Sequence, residues 1–199
     1  MARLLFNFLY FMNKEDFIEG CRIIFYEVIN MLDLALMKDG IAISSINKED
    51  AFSISQWIER EKNYLKESSS INSIEFDEFM KRFIEYYITD NEIFLKLQKE
   101  DEIIGVLKGR VEGKELIFWF FMLGYEYRGR GLGKEIINII IEHFCNDKGI
   151  KSFSAAVSSG NEQALRFWKN NDFEAVRITK NFFEDVKDDK DLIIFKKML

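Results

Sequence analysis

The segment Arg128-Gly129-Arg130-Gly131-Leu132-Gly133-Lys134 limits what this chain can fold into more than any other. It follows an apolar run, Leu116 to Leu123, and precedes the helical spacing of Ile136, Ile137, Ile140, Ile141 and Phe144. Glycine adopts positive φ at no steric cost, so the pattern predicts a strand, a tight loop and a helix N-terminus whose first amides converge. Amides arranged so, at the positive end of a helix dipole, attract phosphate. Spacing excludes two common phosphate loops. A P-loop needs glycine where Arg128 stands and Ser or Thr where Glu135 stands; a dinucleotide fingerprint through Gly129 and Gly131 needs glycine at Lys134.

The flanking sequence supplies a sheet for that unit. Phe17, Cys21, Ile24, Val28 and Met31 recur at helical spacing, giving a helical extension over residues 1–38 ahead of a main domain at 39–199. Asp39-Gly40 is a turn, Ile41 to Ile46 a strand, and Asn47 an N-cap for a helix reaching about Tyr64. Phe76, Phe79, Met80, Phe83 and Tyr87 mark a second helix. Ile93 to Gln98, Ile103 to Val111 and Leu116 to Leu123 read as a three-stranded meander whose last member is apolar on both faces and therefore central. The helix after the glycines closes at Gly149; a strand at Lys151 to Val157, a helix at Asn161 to Asn170 and two terminal strands follow. The order is β-α-α-β-β-β-α-β-α-β-β, an α/β chain with a mixed, mostly antiparallel sheet.

At 199 residues the chain holds one ordinary domain. A formal charge of −6 argues against a nucleic-acid partner and favours a cationic substrate. Cys21 and Cys145 have no neighbours at metal-ligand spacing, so neither a metal site nor a disulfide framework is expected, and a cytoplasmic location fits. No apolar stretch reaches the roughly 20 residues of a membrane span, and no convincing signal-peptide cleavage site follows Met1 to Met12. His143 is expected at a helix end against the dipole and Cys145 as a packed thiol. Trp57, Tyr64, Phe83 and Tyr87 are expected in the core.

The glycine segment resembles the signature of the GNAT acetyltransferases: Gln or Arg, two residues, Gly, one residue, then Gly or Ala. Here Arg128, Gly131 and Gly133 satisfy it. A second stretch, Asn161-Glu162-Gln163-Ala164-Leu165-Arg166-Phe167-Trp168 running on to Phe173, is similar to the family's Asn-x-x-Ala-x-x-Phe-Tyr segment ending in Gly-Phe, and the element order agrees from Ile41 onward. The resemblance implies a GNAT-like fold that takes acetyl-CoA as co-substrate. It implies that the strand ending at Leu123 parts from the next one, so that backbone groups near Met122 and Leu123 meet the pantetheine arm and the thioester. The amides of Gly129, Arg130, Gly131, Leu132, Gly133 and Lys134, with Arg128 beside them, would hold the pyrophosphate. Asn161 would reach the pantetheine region, with Ala164, Phe167 and Trp168 lining the thiol end.

The implied reaction is direct attack of an amine, from a small molecule or a peptide, on the thioester. Glu115 and Glu126 are the candidate bases. Trp168 stands where the family often carries tyrosine, and an indole cannot protonate a leaving thiolate. Tyr125 or Tyr127 is then the candidate acid, unless the thiolate leaves unaided. The N-terminal helix is read as a packing element or a homodimer contact. The competing reading is a non-catalytic acyl-CoA sensor on the same fold.

Overall fold

A computed structural model describes residues 34–47, 49–50, 53–54, 56–58, 60–61, 91–180, 182 and 191–199. The helical extension expected before residue 34, the second expected helix at Phe76 to Tyr87, the expected core residues Tyr64, Phe83 and Tyr87, and Cys21 lie outside them.

The described strands are β1 (Ala35–Lys38), β2 (Ile41–Ser45), β3 (Glu92–Lys99), β4 (Glu102–Glu112), β5 (Glu115–Leu123), β6 (Ser152–Ser158), β7 (Glu174–Thr179) and β8 (Leu192–Met198). They form one sheet in the order β1-β2-β3-β4-β5-β6-β8-β7. Every neighbouring pair is antiparallel except β5 and β6. That pair is parallel because the helix after the glycines, α1 (Leu132–Lys148), carries the chain back between them. A short helix, α2 (Glu162–Lys169), joins β6 to β7.

The sheet starts earlier than the expected boundary at residue 39. Asp39 and Gly40 both take positive φ, 51° and 77°, in a two-residue hairpin that pairs Lys38 with Ile41. Ala35–Lys38, assigned from sequence to the helical extension, is therefore an edge strand, and Leu34 is buried in the core. The short apolar run before Asp39 fits either period, and only the pairing with β2 decides it.

Side chains alternate across the sheet and build two cores. On one face Ile43, Leu95, Leu107, Phe118 and Leu123 pack with Ile136, Ile140 and Phe144 of α1. On the other, Phe94, Val106 and Met122 meet Ile54, Trp57 and Ile58 from the helical residues at 53–54, 56–58 and 60–61. Trp57 is thus a core residue. The second face also buries an ion pair, Lys108 Nζ to Glu92 Oε2 at 3.0 Å. Burial pulls the Lys108 ammonium below its ordinary value, against the opposing pull of Glu92.

The helix α1 ends as its sequence indicates. Gly149 turns left-handed at φ 64°, and the Gly149 and Ile150 amides both donate to Phe144 O. His143 sits in the last turns with Nδ1 2.6 Å from Asp147 Oδ2, and Cys145 is half-buried in the same helix.

Candidate active site

The site forms where β5 leaves its parallel neighbour. Pairing between β5 and β6 runs only from Glu115 opposite Ser152 to Phe118 opposite Ala155. Beyond that, β5 stays with β4 as far as Leu123 opposite Gly105, while β6 stays with β8 as far as Ser158 opposite Leu192. The two strands part at a β-bulge: Lys108 faces Phe120 and Gly109 faces Phe118, so Trp119 is the extra residue. The Gly124 amide donates to Ile104 O on the β4 side at 2.9 Å. Backbone groups alternate along a strand, so Phe121 and Leu123 turn theirs away from β4, toward the cleft.

A three-residue 3-10 turn, Tyr125–Tyr127, then feeds the glycine loop. Gly129 and Gly131 adopt φ of 71° and 81°, and apart from their chain neighbours no atom of the described residues lies within 4 Å of where a Cβ would stand on either. Open space surrounds the loop, and it is the backbone angle that asks for glycine. Gly133 answers a different need. A Cβ there would stand 3.0 Å from Phe167 Cε2 and 3.4 Å from Leu123 Cδ1, so the start of α1 lies directly against α2 and the end of β5.

Gly131 caps α1, leaving the Leu132 and Gly133 amides at its open end without intrahelical acceptors. The Lys134 and Glu135 amides both donate to Gly131 O, at 3.0 and 3.2 Å. The Lys134 amide, expected among the phosphate donors, is thereby spent within the helix, although its exposed side chain, like that of Arg130, remains beside the loop. Arg128 is tied to the strand end through its Nε, which donates to Leu123 O at 2.7 Å. Burial lowers its pKa, opposed by the carboxylate of Glu61.

The second motif closes the far side of the cleft. Asn161 caps α2, its Oδ1 accepting from the Ala164 amide at 3.0 Å, so this oxygen serves the helix and not a ligand. Ala164 is half-buried against the main core. Phe167 packs on Phe121 with centroids 5.6 Å apart, filling the base of the cleft. Trp168 lies deeper, 5% exposed, stacked on Phe118 at 5.4 Å and edge-on to Phe173 at 4.8 Å. Its place is the packing behind the cleft.

Of the expected acid–base groups, Glu115 is displaced by geometry. It begins β5, eight residues before Leu123 and so about 26 Å away at about 3.3 Å per residue. There its carboxylate accepts from Ser154 Oγ and pairs with Lys196 Nζ at 3.2 Å. Burial raises its pKa, but the hydrogen bonds from Ser154 and Lys196 prevail and hold it below the ordinary value. Proximity in sequence to an apolar strand said nothing about which end of that strand would carry the site.

Glu126, Tyr125 and Tyr127 lie in the turn itself, next to the cleft. Glu126 and Tyr125 are exposed. The Tyr127 hydroxyl donates to Glu102 Oε2 at 3.4 Å, and burial followed by the Glu102 charge makes this phenol a weaker acid than usual.

A residue that sequence reasoning missed completes the turn. Glu61, 5% exposed, reaches from the second face and accepts the Tyr125 amide at 2.8 Å. The signal was present, because Glu61 continues the apolar stripe of Ile54, Trp57 and Ile58 at helical spacing. Among the described residues no group of three or more His, Cys, Asp or Glu is placed to hold a metal ion, and no described helix is long and apolar enough to cross a membrane.

A sheet opened between two parallel strands, with helix-start amides at the mouth of the opening, has the shape and the donors to take an extended ligand carrying phosphate. The chain belongs to the GNAT acetyltransferase domain family, whose model, described as an acetyltransferase (GNAT) domain, matches residues 43–194. Solved structures share the fold. One is the ribosomal L7/L12 alpha-N-protein acetyltransferase RimL in complex with coenzyme A, at 14% identity and a TM-score of 0.65 over 83% of this chain and 98% of that one. Another is the microcin C7 self-immunity acetyltransferase MccE in complex with acetyl-CoA and AMP, at 17% identity and a TM-score of 0.62 over 81% and 94%. A third is the ribosomal-protein-S18-alanine N-acetyltransferase from Escherichia coli, at 16% identity and a TM-score of 0.57 over 79% and 93%. A sequence search of curated proteins finds no match.

Proposed function

We propose that this chain transfers acetyl from acetyl-CoA to the primary amine of a small molecule or peptide by direct attack, in a ternary complex. The observation that carries the reading is the opening of β5 from β6 at Phe118 with the Gly129–Gly133 loop at its mouth, inside a GNAT domain. The residues fit the co-substrate. Positive-φ glycines clear the loop's front, the Leu132 and Gly133 amides face outward for the pyrophosphate, and the Phe121 backbone groups with the Leu123 amide line the cleft for the pantetheine arm.

Bound acetyl-CoA would supply a thioester that an amine nitrogen attacks while the thiolate departs, so no acyl-enzyme is needed. The chain's part is to orient that thioester against β5, with a cleft-facing backbone amide such as that of Leu123 donating to the oxygen that gains charge. Glu126 is the carboxylate in the turn that would take the amine's proton, directly or through water, and Tyr125 is the adjacent phenol. Trp168, enclosed by Phe118, Phe167 and Phe173, takes no proton-transfer role.

The net charge of −6 favours a cationic acceptor, neighbours named for acetylating ribosomal proteins are consistent with a peptide amine, and a sequence with two cysteines, at positions 21 and 145, suits a reducing cytoplasm. Calorimetric titration with acetyl-CoA, followed by thiol release against polyamines, aminoglycosides, amino acids and basic peptides, tests the proposal. Binding with amine-dependent release supports it; binding without release across the panel favours a sensor; no binding refutes both.

A further inference from the structure

We infer that Glu61 is a positioning residue for the cofactor loop, fixing through the Tyr125 amide where the phosphate-binding turn leaves the sheet. The inference rests on the acetyl-CoA reading and deepens it. A carboxylate that is 5% exposed needs strong partners to offset its desolvation. Its direct acceptor contact is the Tyr125 amide at 2.8 Å; Arg60 Nε is 3.9 Å away, beyond a hydrogen bond.

The position of that amide gives the contact its meaning. The Gly124 amide still belongs to the sheet, bonded to Ile104 O at 2.9 Å. Tyr125 supplies the first amide beyond the sheet, and the glycine loop starts three residues later, at Arg128. Gly124 passes close beneath the carboxylate, since a Cβ there would stand 3.6 Å from Glu61 Oε1. The same carboxylate acts on the charge of Arg128, whose Nε holds Leu123 O. One acceptor from the Trp57-bearing helical segment thus fixes the start of the turn, while Arg128 ties the end of the turn back to β5. The loop amides would then stand ready before the pyrophosphate arrives, and binding loses less ordering entropy.

The test uses the full chain with acetyl-CoA and, separately, S-acetylpantetheine, which carries the thioester arm without pyrophosphate or nucleotide. Affinities come from calorimetry for the first and NMR titration for the second, with thermal melting recorded on each variant. Glu61→Gln keeps an oxygen within reach of the Tyr125 amide, Glu61→Asp keeps the charge but withdraws it by one methylene, and Glu61→Ala removes both.

The expected result is about tenfold weaker acetyl-CoA binding for Glu61→Ala and Glu61→Asp, the worth of one ordinary hydrogen bond, with Glu61→Gln within about threefold of the parent. Binding of S-acetylpantetheine should not change in any variant. A merely structural glutamate would lower the melting temperature without separating the two ligands. Unchanged acetyl-CoA affinity in Glu61→Asp, Glu61→Gln as weak as Glu61→Asp, or equal losses for both ligands each overturns the inference. If Glu61→Ala does not fold, the Gln and Asp variants decide. Absence of acetyl-CoA binding by the parent chain would instead sink the acetyl-CoA reading itself.

Discussion

Gly131→Ala isolates what a single backbone angle contributes to the cofactor loop. Gly131 sits at φ 81° and ψ −14°, and apart from its chain neighbours no described residue lies within 4 Å of the Cβ that alanine would add. Collision is therefore excluded as the source of any effect. An L-residue held in the left-handed region costs about 1–2 kcal/mol, and that cost must appear in one of two places. If the loop keeps its shape, the apo protein loses that much stability, a drop of about 2–8 °C in melting temperature for a chain of this size. If the loop rotates to relieve the strain, the Leu132 and Gly133 amides leave their places, and acetyl-CoA binds about 5- to 30-fold more weakly. Scanning calorimetry and titration on the same preparation see both terms, which should sum to the strain. Gly131→Asn is the control, because asparagine tolerates the left-handed region better and should recover a large part of the loss despite its greater bulk. Wild-type melting and affinity together in Gly131→Ala would refute the argument, as would Gly131→Asn proving the worse of the two.

Gly133 should respond by the opposite mechanism. Gly133→Ala asks Phe167 to yield a few tenths of an ångström and should be mild, whereas Gly133→Val should cost about 1–3 kcal/mol through overpacking, partly restored by Phe167→Leu in a double-mutant cycle; additive losses would deny the contact. Trp168→Ala should destabilise by about 3–5 kcal/mol in denaturant melts, since the ring is enclosed by Phe118, Phe167 and Phe173, and Trp168→Phe by much less; an acetyl-CoA affinity that falls with stability untouched would place the indole at the ligand. Glu115→Gln tests the displaced carboxylate. Its folded pKa lies below the ordinary value of 4.5, so its contribution is fully present above that value and is lost as pH falls through the folded one. The variant should be less stable than the parent at neutral pH and converge with it at acid pH once the folded carboxylate is protonated, with kcat untouched at neutral pH in the folded enzyme; a large kcat loss would return Glu115 to the chemistry.

The sequence by itself determined the α/β class, the order of the described elements from Ile41 onward and the glycine loop between strand and helix. These rest on local rules: the 3.6 and 2.0 periods of apolar residues, the φ freedom of Gly129 and Gly131, the left-handed cap at Gly149 and the asparagine cap at Asn161 are all written within a few residues of where they act. Tertiary structure alone decided which groups meet. Ala35–Lys38 is a strand because β2 pairs with it. Glu115 stands at the wrong end of β5 because strand direction, invisible in a list of neighbours, separates it from Leu123 by the length of the strand. Arg128 bonds back to the strand end because Leu123 O lies there, and the Tyr125 amide meets the Glu61 carboxylate from 64 residues away in the chain. Local spacing fixes backbone shape, but the partner of a buried charge is set by packing between segments distant in sequence, and so the turn that positions the cofactor loop could be read only after the fold had brought Glu61 to Tyr125.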